Sequence, residues 1–346
     1  MHGVVVEKPG QLVIRQIEPP KLTPYTAIVK MEMASICNGT DSKIKDGHFP
    51  GFDTYPTTLG HEGIGTVVEV GRKATAYKVG DRIWKATTMY TGIEGLASGW
   101  GAMAQYAVVG DFASMQADGV CDAEHGYDGI FEVQQVIPPE ISTRQAILMI
   151  TWREIYSSFA AFGFSPGCSL MVIGGGPVGL SFVRLAKIFG MKPVCLATRS
   201  KWKLDKALAL GADAVFPADK QITRSVKDAY PDGFDFVIDA VGSGSVISQA
   251  LQMLKFGATV GVYGVVAEDT LSITRKGAPL NWVIRMHMWP DYPAEAAATE
   301  PICRFVRQGD LSSEEFITHE LPFDRIAEGF ELIRQNKALK VVLNFD

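Results

Sequence analysis

Two short segments hold side chains that could do chemistry together. Cys37 lies in Ser35-Ile36-Cys37-Asn38-Gly39-Thr40-Asp41, a polar turn that follows a run rich in apolar and β-branched residues. His61 and Glu62 lie in Gly60-His61-Glu62-Gly63-Ile64-Gly65, a glycine-spaced stretch that leads into another such run. A thiolate, an imidazole and a carboxylate from separate loops make the donor set of a catalytic zinc site that keeps one position open for substrate. Each residue alone has a plainer reading: His61 as a hydrogen-bonded structural histidine, Cys37 as a small buried apolar side chain.

A third segment would bind a cofactor. Leu170-Met171-Val172-Ile173 runs into Gly174-Gly175-Gly176-Pro177-Val178-Gly179, and a helical pattern comes next. In a G-x-G-x-x-G between strand and helix, Gly174 permits the tight turn and Gly176 lets backbone approach a diphosphate. Gly179 lets helix and strand pack closely, and Pro177 and Val178 open the helix whose positive end faces the phosphates. About twenty residues on, an NAD site usually carries an acid for the ribose 2′-hydroxyl. Here residues 193–197 end in Ala197-Thr198-Arg199-Ser200, with no acid. Thr198 removes the repelling charge, Arg199 supplies a cation for a 2′-phosphate, and Lys203 lies one helical turn further on. NADP(H) is therefore expected over NAD(H); the alternative is that Arg199 is a solvated surface residue.

The elements that must position these residues fall into two kinds. Before about residue 145, short alternating stretches at 4–6, 12–17, 27–33, 65–70, 82–84 and 104–109, bounded by turn residues, predict an all-β, barrel-like domain. After Pro138-Pro139, short apolar strands alternate with helical stretches. Strands at 169–173, 193–197, 214–216, 234–238 and 259–263, with helices at 178–189, 201–210 and 246–255, predict βαβ units and a parallel sheet. A helical pattern over 323–336 and an apolar strand at 340–344 close the chain.

Composition narrows the function classes. The 346 residues are 47% hydrophobic and 21% charged, which is globular, and their length suits two domains. The formal net charge of -5 and the absence of a basic run argue against nucleic acid or an anionic membrane as partner. No apolar run approaches the roughly 18–20 residues of a membrane span. Residues 1–10 read as a strand and turn, not a signal peptide. The five cysteines are scattered, with no Cys-x-x-Cys pair, which suits a reducing cytoplasm.

Taken together, these segments resemble the zinc-dependent medium-chain dehydrogenase/reductase family, over essentially the whole chain. The resemblance rests on Cys37 with Thr40-Asp41, Gly60-His61-Glu62-x-x-Gly65 with Gly71, and Lys78-Val79-Gly80-Asp81-Arg82. It also rests on Gly99-Trp100-Gly101-Ala102 before Tyr106, the Gly174–Gly179 loop, and Asp239-Ala240-Val241-Gly242. It implies a GroES-like β-barrel catalytic domain from 1–145 and 293–346, and a Rossmann doubly wound domain from 146–292. It maps Cys37 and His61 onto zinc ligands and Glu62 onto an adjacent carboxylate that can exchange with water. The family's third ligand falls by ungapped count on Ile150, which cannot bind zinc; Glu154 fits the local pattern if about one helical turn is deleted. The alternative for Glu154 is a surface helical acid paired with Arg153 or solvent.

Three departures accompany the resemblance. Residues 87–99 contain no cysteine, so one catalytic zinc and no structural zinc is expected. The hydroxyl expected after the cysteine stands one position late, at Thr40, which remains the proton-relay candidate. The relay histidine's position is Lys43, and His48 is nearby only in sequence. The implied reaction is oxidation of a small alcohol, or reduction of the matching carbonyl. A Cys-His-Glu ligand set resembles that of family members acting on polyols, sugars or amino alcohols more than that of members acting on simple alcohols, which implies a polyol, sugar or related secondary alcohol as substrate. The same resemblance implies a homodimer or homotetramer, with residues 259–266 and the adjoining downstream segment as the pairing edge. A zinc-free quinone or enoyl reductase, and a non-catalytic NADP(H)-binding sensor, are the competing readings. The paired Cys and Gly-His-Glu signatures weigh against both.

Overall fold

The computed structural model describes residues 1–88 and 95–345. The chain forms two compact units, one of Met1–Ile150, Glu295–Arg307 and Ser312–Asp346, the other of Thr151–Ala294 and Gln308–Leu311. The first unit opens with eight strands: β1 (His2–Lys8), β2 (Gln11–Gln16), β3 (Thr26–Ser35), β4 (Thr57–Thr58), β5 (Gly63–Val70), β6 (Arg82–Trp84), β7 (Ala97–Ser98) and β8 (Tyr106–Gly110). Helices α1 (Asp41–Asp46) and α2 (Phe112–Asp118) interrupt and follow them, and α3 (Thr143–Phe162) carries the chain onward.

The second unit alternates strand and helix as its sequence pattern requires. It contains β9 (Leu170–Ile173), α4 (Pro177–Phe189), β10 (Val194–Thr198), α5 (Lys201–Ala209), β11 (Ala214–Pro217), α6 (Ile222–Ala229), β12 (Phe234–Asp239), α7 (Gly244–Leu251), β13 (Leu254–Val262) and β14 (Val283–Met286). The sheet order is β11-β10-β9-β12-β13-β14, and every neighbouring pair is parallel. That order reverses direction beside β9, the topological switch point of a doubly wound Rossmann sheet, where ligands bind beyond the strands' carboxyl ends. The central strands β9 and β10 are buried on both faces, so they read as apolar runs such as Leu170-Met171-Val172-Ile173 without alternation.

The chain then returns to the first unit through α8 (Tyr292–Ala297), α9 (Thr299–Arg307), β15 (Ile317–Pro322), α10 (Ile326–Arg334) and β16 (Lys340–Asn344). There β3 is the organising strand: it pairs antiparallel with β5, β8 and β16. One sheet runs β15-β16-β3-β5-β6, another β2-β1-β4-β7. Val4, Val6, Val29, Met31, Ile44, Ile83, Val109 and Val341 fill the core of this GroES-like domain.

Several boundaries differ from the sequence expectation. The helix expected over 246–255 ends at Leu251, and Lys255 lies in β13, where its ammonium pairs with Asp235 at 2.9 Å. The apolar period continues across that junction, so it does not mark the stop. The helix expected over 323–336 begins with a 3-10 turn at Phe323–Arg325 and ends at Arg334. The strand expected at 104–109 begins at Tyr106. Residues 259–262 are internal to the sheet, and the outer strand beyond them is β14. No helix among the described residues is long and apolar enough to cross a membrane.

Candidate metal centre and dinucleotide loop

The Cys37 and His61 segments meet because β3 and β5 pair. As β3 ends, the Ser35 amide donates to the Glu62 carbonyl at 3.0 Å and the Ile36 amide to the Val341 carbonyl at 3.0 Å. The chain then turns tightly: the Cys37 amide donates to Asp41 Oδ2 at 2.7 Å, and the Asp41 amide donates back to the Cys37 carbonyl at 2.8 Å. Gly60, with φ of +100°, makes the bend that delivers His61; a Cβ there would lie 2.6 Å from Met103.

The result is a cluster in which one ligand atom each from Cys37, His61 and Glu62 lies within 4.8 Å of the others. His61 and Glu62 are buried, and Cys37 is half-buried. His61 Nδ1 faces Asp41 Oδ1 at 3.5 Å. Burial pulls the His61 pKa down, but Asp41 and Cys37 outweigh it and hold the imidazole well above its ordinary value in the metal-free protein. A carboxylate behind a ligating imidazole fixes the ring and its tautomer, leaving the other nitrogen as donor. Sulfur, nitrogen and oxygen donors at these separations fit a zinc ion.

Glu62 is held from behind. Its Oε2 accepts from the Lys340 ammonium, at the start of β16, and from the Ser35 hydroxyl. Burial alone would raise the Glu62 pKa, yet Lys340 keeps it below the usual carboxylate value. Neither Asp41 nor Lys340 was given a role by sequence reasoning. Asp41 could have been found from its place in the cysteine turn. Lys340 gave a fainter signal, a charge opening an apolar strand.

The other expected residues lie at the start of α1, on α1, just after it, and on α3. Thr40, three residues after Cys37, is buried and serves as the N-cap of α1 with no side-chain capping bond, so that hydroxyl is not spent on the helix. Lys43 is half-buried on α1, and His48 is exposed. Glu154 lies half-buried on α3 in the second unit, its carbonyl accepting from the Ser157 hydroxyl at 2.7 Å. Residues 89–94, part of the cysteine-free segment, lie outside the described residues.

The glycine loop is built as its spacing requires. Gly174 has φ of +124°, and a Cβ on Gly179 would lie 1.8 Å from the Gly174 carbonyl oxygen. A Cβ on Gly176 would meet nothing within 4 Å, leaving backbone open to an approaching diphosphate. Pro177 occupies the first turn of α4 and, like Val178, is half-buried. Beside the loop, buried Asp239 accepts from the amides of Val241, Gly242 and Ser243 at 2.8, 2.9 and 3.1 Å. Thr198 ends β10 buried, its side chain 2.7 Å from where a Gly175 Cβ would be. Arg199 is exposed and Lys203 half-buried. Burial and the charge of Arg199 together lower the Lys203 pKa.

Comparison with known proteins agrees with both halves. Residues 23–117 match the alcohol dehydrogenase GroES-like domain, and residues 177–290 match the zinc-binding dehydrogenase domain. A probable zinc-binding alcohol dehydrogenase of Mycobacterium tuberculosis is 30% identical over 342 residues, covering 96% of this chain and 85% of the relative. The chain belongs to the zinc-type medium-chain alcohol dehydrogenase family. Sorbitol dehydrogenase of Bombyx mori is 25% identical over 355 residues, covering 99% of this dehydrogenase and 98% of the relative. Among solved structures, alcohol dehydrogenase TADH of Thermus sp. ATN1 superposes with a TM-score of 0.78 at 25% identity, covering 99% of each chain. The medium-chain dehydrogenase thus brings together Cys37, His61 and Glu62 in its GroES-like unit, and Thr198 with the Gly174 to Gly179 loop in its Rossmann unit, where Arg199 and Lys203 follow in sequence.

Proposed function

We propose that this chain is a zinc-dependent, NADP(H)-linked alcohol dehydrogenase or carbonyl reductase acting on a polyol, a sugar or a related secondary alcohol. The observation that supports it best is the convergence of Cys37, His61 and Glu62 within 4.8 Å, with Asp41 behind the imidazole. When bound, zinc would supply Lewis acidity that lets an alcohol lose its proton near neutral pH, and the nicotinamide would take up the hydride. Cys37 and His61 would hold the ion, and Asp41 would orient His61. Glu62, balanced by Lys340, supplies a carboxylate that costs the site no net charge. Thr40 takes the hydroxyl proton outward. The Gly174 to Gly179 loop seats the diphosphate against the N-terminus of α4. We further propose Glu154 as the third protein donor. The polyol reading draws on the donor set and on the Bombyx relative, which is named for sorbitol.

Plasma emission on purified protein, together with a polyol and sugar panel with NADPH and NADP, tests the reading. About one zinc per chain, less of it in Glu154→Gln, and turnover of a panel member are the expected results. Carefully prepared protein without zinc, or zinc-loaded protein that turns over no alcohol, would sink it.

The cofactor preference has its own test. Losing one charge-assisted bond to a 2′-phosphate should weaken NADPH binding in Arg199→Ala by about 10- to 100-fold while leaving NADH within twofold. Because the Lys203 pKa is lowered, its charge is present at low pH and lost as pH rises through that lowered value. NADPH affinity should therefore fall on the alkaline side, and Lys203→Met should remove that dependence. Equal affinity for NADPH and NADH in the wild type would refute the assignment.

A further inference from the structure

Trp100 stands in a conformation that bulky residues avoid. Its φ is +67°, in the left-handed region, and Gly101 comes next at +74°. A glycine would sit there without penalty, and both neighbours, Gly99 and Gly101, are glycines. Neither neighbour has room for anything else. A Cβ on Gly99 would lie 2.4 Å from the Thr58 carbonyl oxygen, and one on Gly101 would lie 1.5 Å from Thr88 Oγ1.

The turn is pinned on every side. The Gly99 amide donates to the Thr58 carbonyl at 3.1 Å, the Ala102 amide to the Gly60 carbonyl at 2.7 Å, and the Met103 amide to the Leu59 carbonyl at 3.0 Å. The Thr88 amide donates to the Trp100 carbonyl at 2.6 Å. Residues 99–103 are thereby laid along the segment that delivers His61. The indole, half-buried, meets the His61 ring at 5.6 Å and 61° and the Phe49 ring at 6.1 Å and 85°. A strained residue held by its surroundings beside a reactive group is where strain serves function.

We infer that Trp100 is a specificity-determining residue, its indole forming the wall against which the carbon skeleton of an uncharged alcohol lies beside His61. The inference rests on the alcohol dehydrogenase reading above. An indole offers an apolar face and one N–H donor. That suits the C–H face of a polyol or alkyl alcohol and offers no positive charge to balance a phosphate or carboxylate.

The test uses full-length zinc-loaded wild type, Trp100→Ala, Trp100→Phe and Trp100→Gly, with sorbitol, xylitol, 2,3-butanediol and sorbitol 6-phosphate as probes. Binding is read by saturation-transfer NMR and turnover by KM and kcat separately. The expected result is preference for the neutral probes. Trp100→Ala should raise KM and weaken binding about tenfold or more, with zinc content unchanged and kcat less affected. Trp100→Phe should restore most of the loss. Trp100→Gly should weaken binding as alanine does, yet melt no lower than the wild type because the backbone is relieved. Turnover and binding within twofold of wild type in Trp100→Ala would overturn this inference alone and make the indole packing only. Zinc-loaded wild type that neither binds nor turns over any probe would overturn the parent reading and this one with it.

Discussion

Cys37→Ser should purify without zinc and without alcohol turnover, while its fold and NADPH binding are retained. The reason lies in how charge is distributed around the cluster. The Glu62 carboxylate is already balanced by buried Lys340, and His61 is a neutral donor when it ligates. The Cys37 thiolate is then the anion in this cluster whose charge is left for a divalent ion. A serine hydroxyl is harder, and it is not ionised near neutral pH. Roughly 10–16 kcal/mol of apparent affinity at a four-ligand structural zinc site shares out to about 2.5–4 kcal/mol per ligand, or about 70- to 900-fold. Zinc by plasma emission after dialysis against a weak chelator reads this directly. Chelation should also lower the melting temperature of the wild type and leave Cys37→Ser unmoved, because an ion that binds the native state stabilises it. Thr40→Val is the companion variant: it should keep its zinc and lose turnover. A Cys37→Ser protein that retains one zinc per chain would remove the cysteine from the donor set.

What could be read from the sequence was what is local. Strand, three glycines and helix succeed one another between Leu170 and Phe189, so the loop's geometry is written in consecutive residues. The metal donors were legible by type and by their glycine-rich settings, although only the β3–β5 pairing brings their atoms together. Lys340 reaches Glu62 across 278 positions of sequence, a separation no local pattern encodes. The left-handed backbone of Trp100 was likewise hidden, because the glycines flanking it predict a turn without saying which residue carries the unusual φ. The overlong helix at 246–255 shows the converse limit. Apolar periodicity persisted past Leu251, and the parallel pairing of β12 with β13 from Leu254 onward decided the boundary.

Buried charge that the proposed chemistry does not use leads to the other large effect. Lys85 succeeds β6 at φ of +55°, and its ammonium meets Glu295 Oε2 at 2.8 Å, with side-chain exposures of 2% and 0%. The Lys85 carbonyl accepts from Gln134 Nε2 at 2.8 Å, while Gln134 Oε1 accepts from the Gly110 amide at 2.7 Å. The pair therefore ties α8, on the returning chain, to the end of β6, and both residues belong to the GroES-like unit. Lys85→Met keeps the aliphatic stem but leaves the Glu295 carboxylate buried without its cation. Breaking a buried pair from one side costs about 3–5 kcal/mol, because the remaining charge stays out of water and has lost its counter-ion. For a unit of this size that is a fall in melting temperature of about 6–20 °C. Replacing both residues removes both desolvation penalties, so Lys85→Met with Glu295→Leu should recover most of the loss. Melting followed by circular dichroism on the three proteins separates the cases. A single variant within about 1 kcal/mol of wild type would mean that Glu295 finds water or another donor when Lys85 is gone. A double variant as unstable as the single one would mean that the pair's shape, not its charge, holds α8 in place.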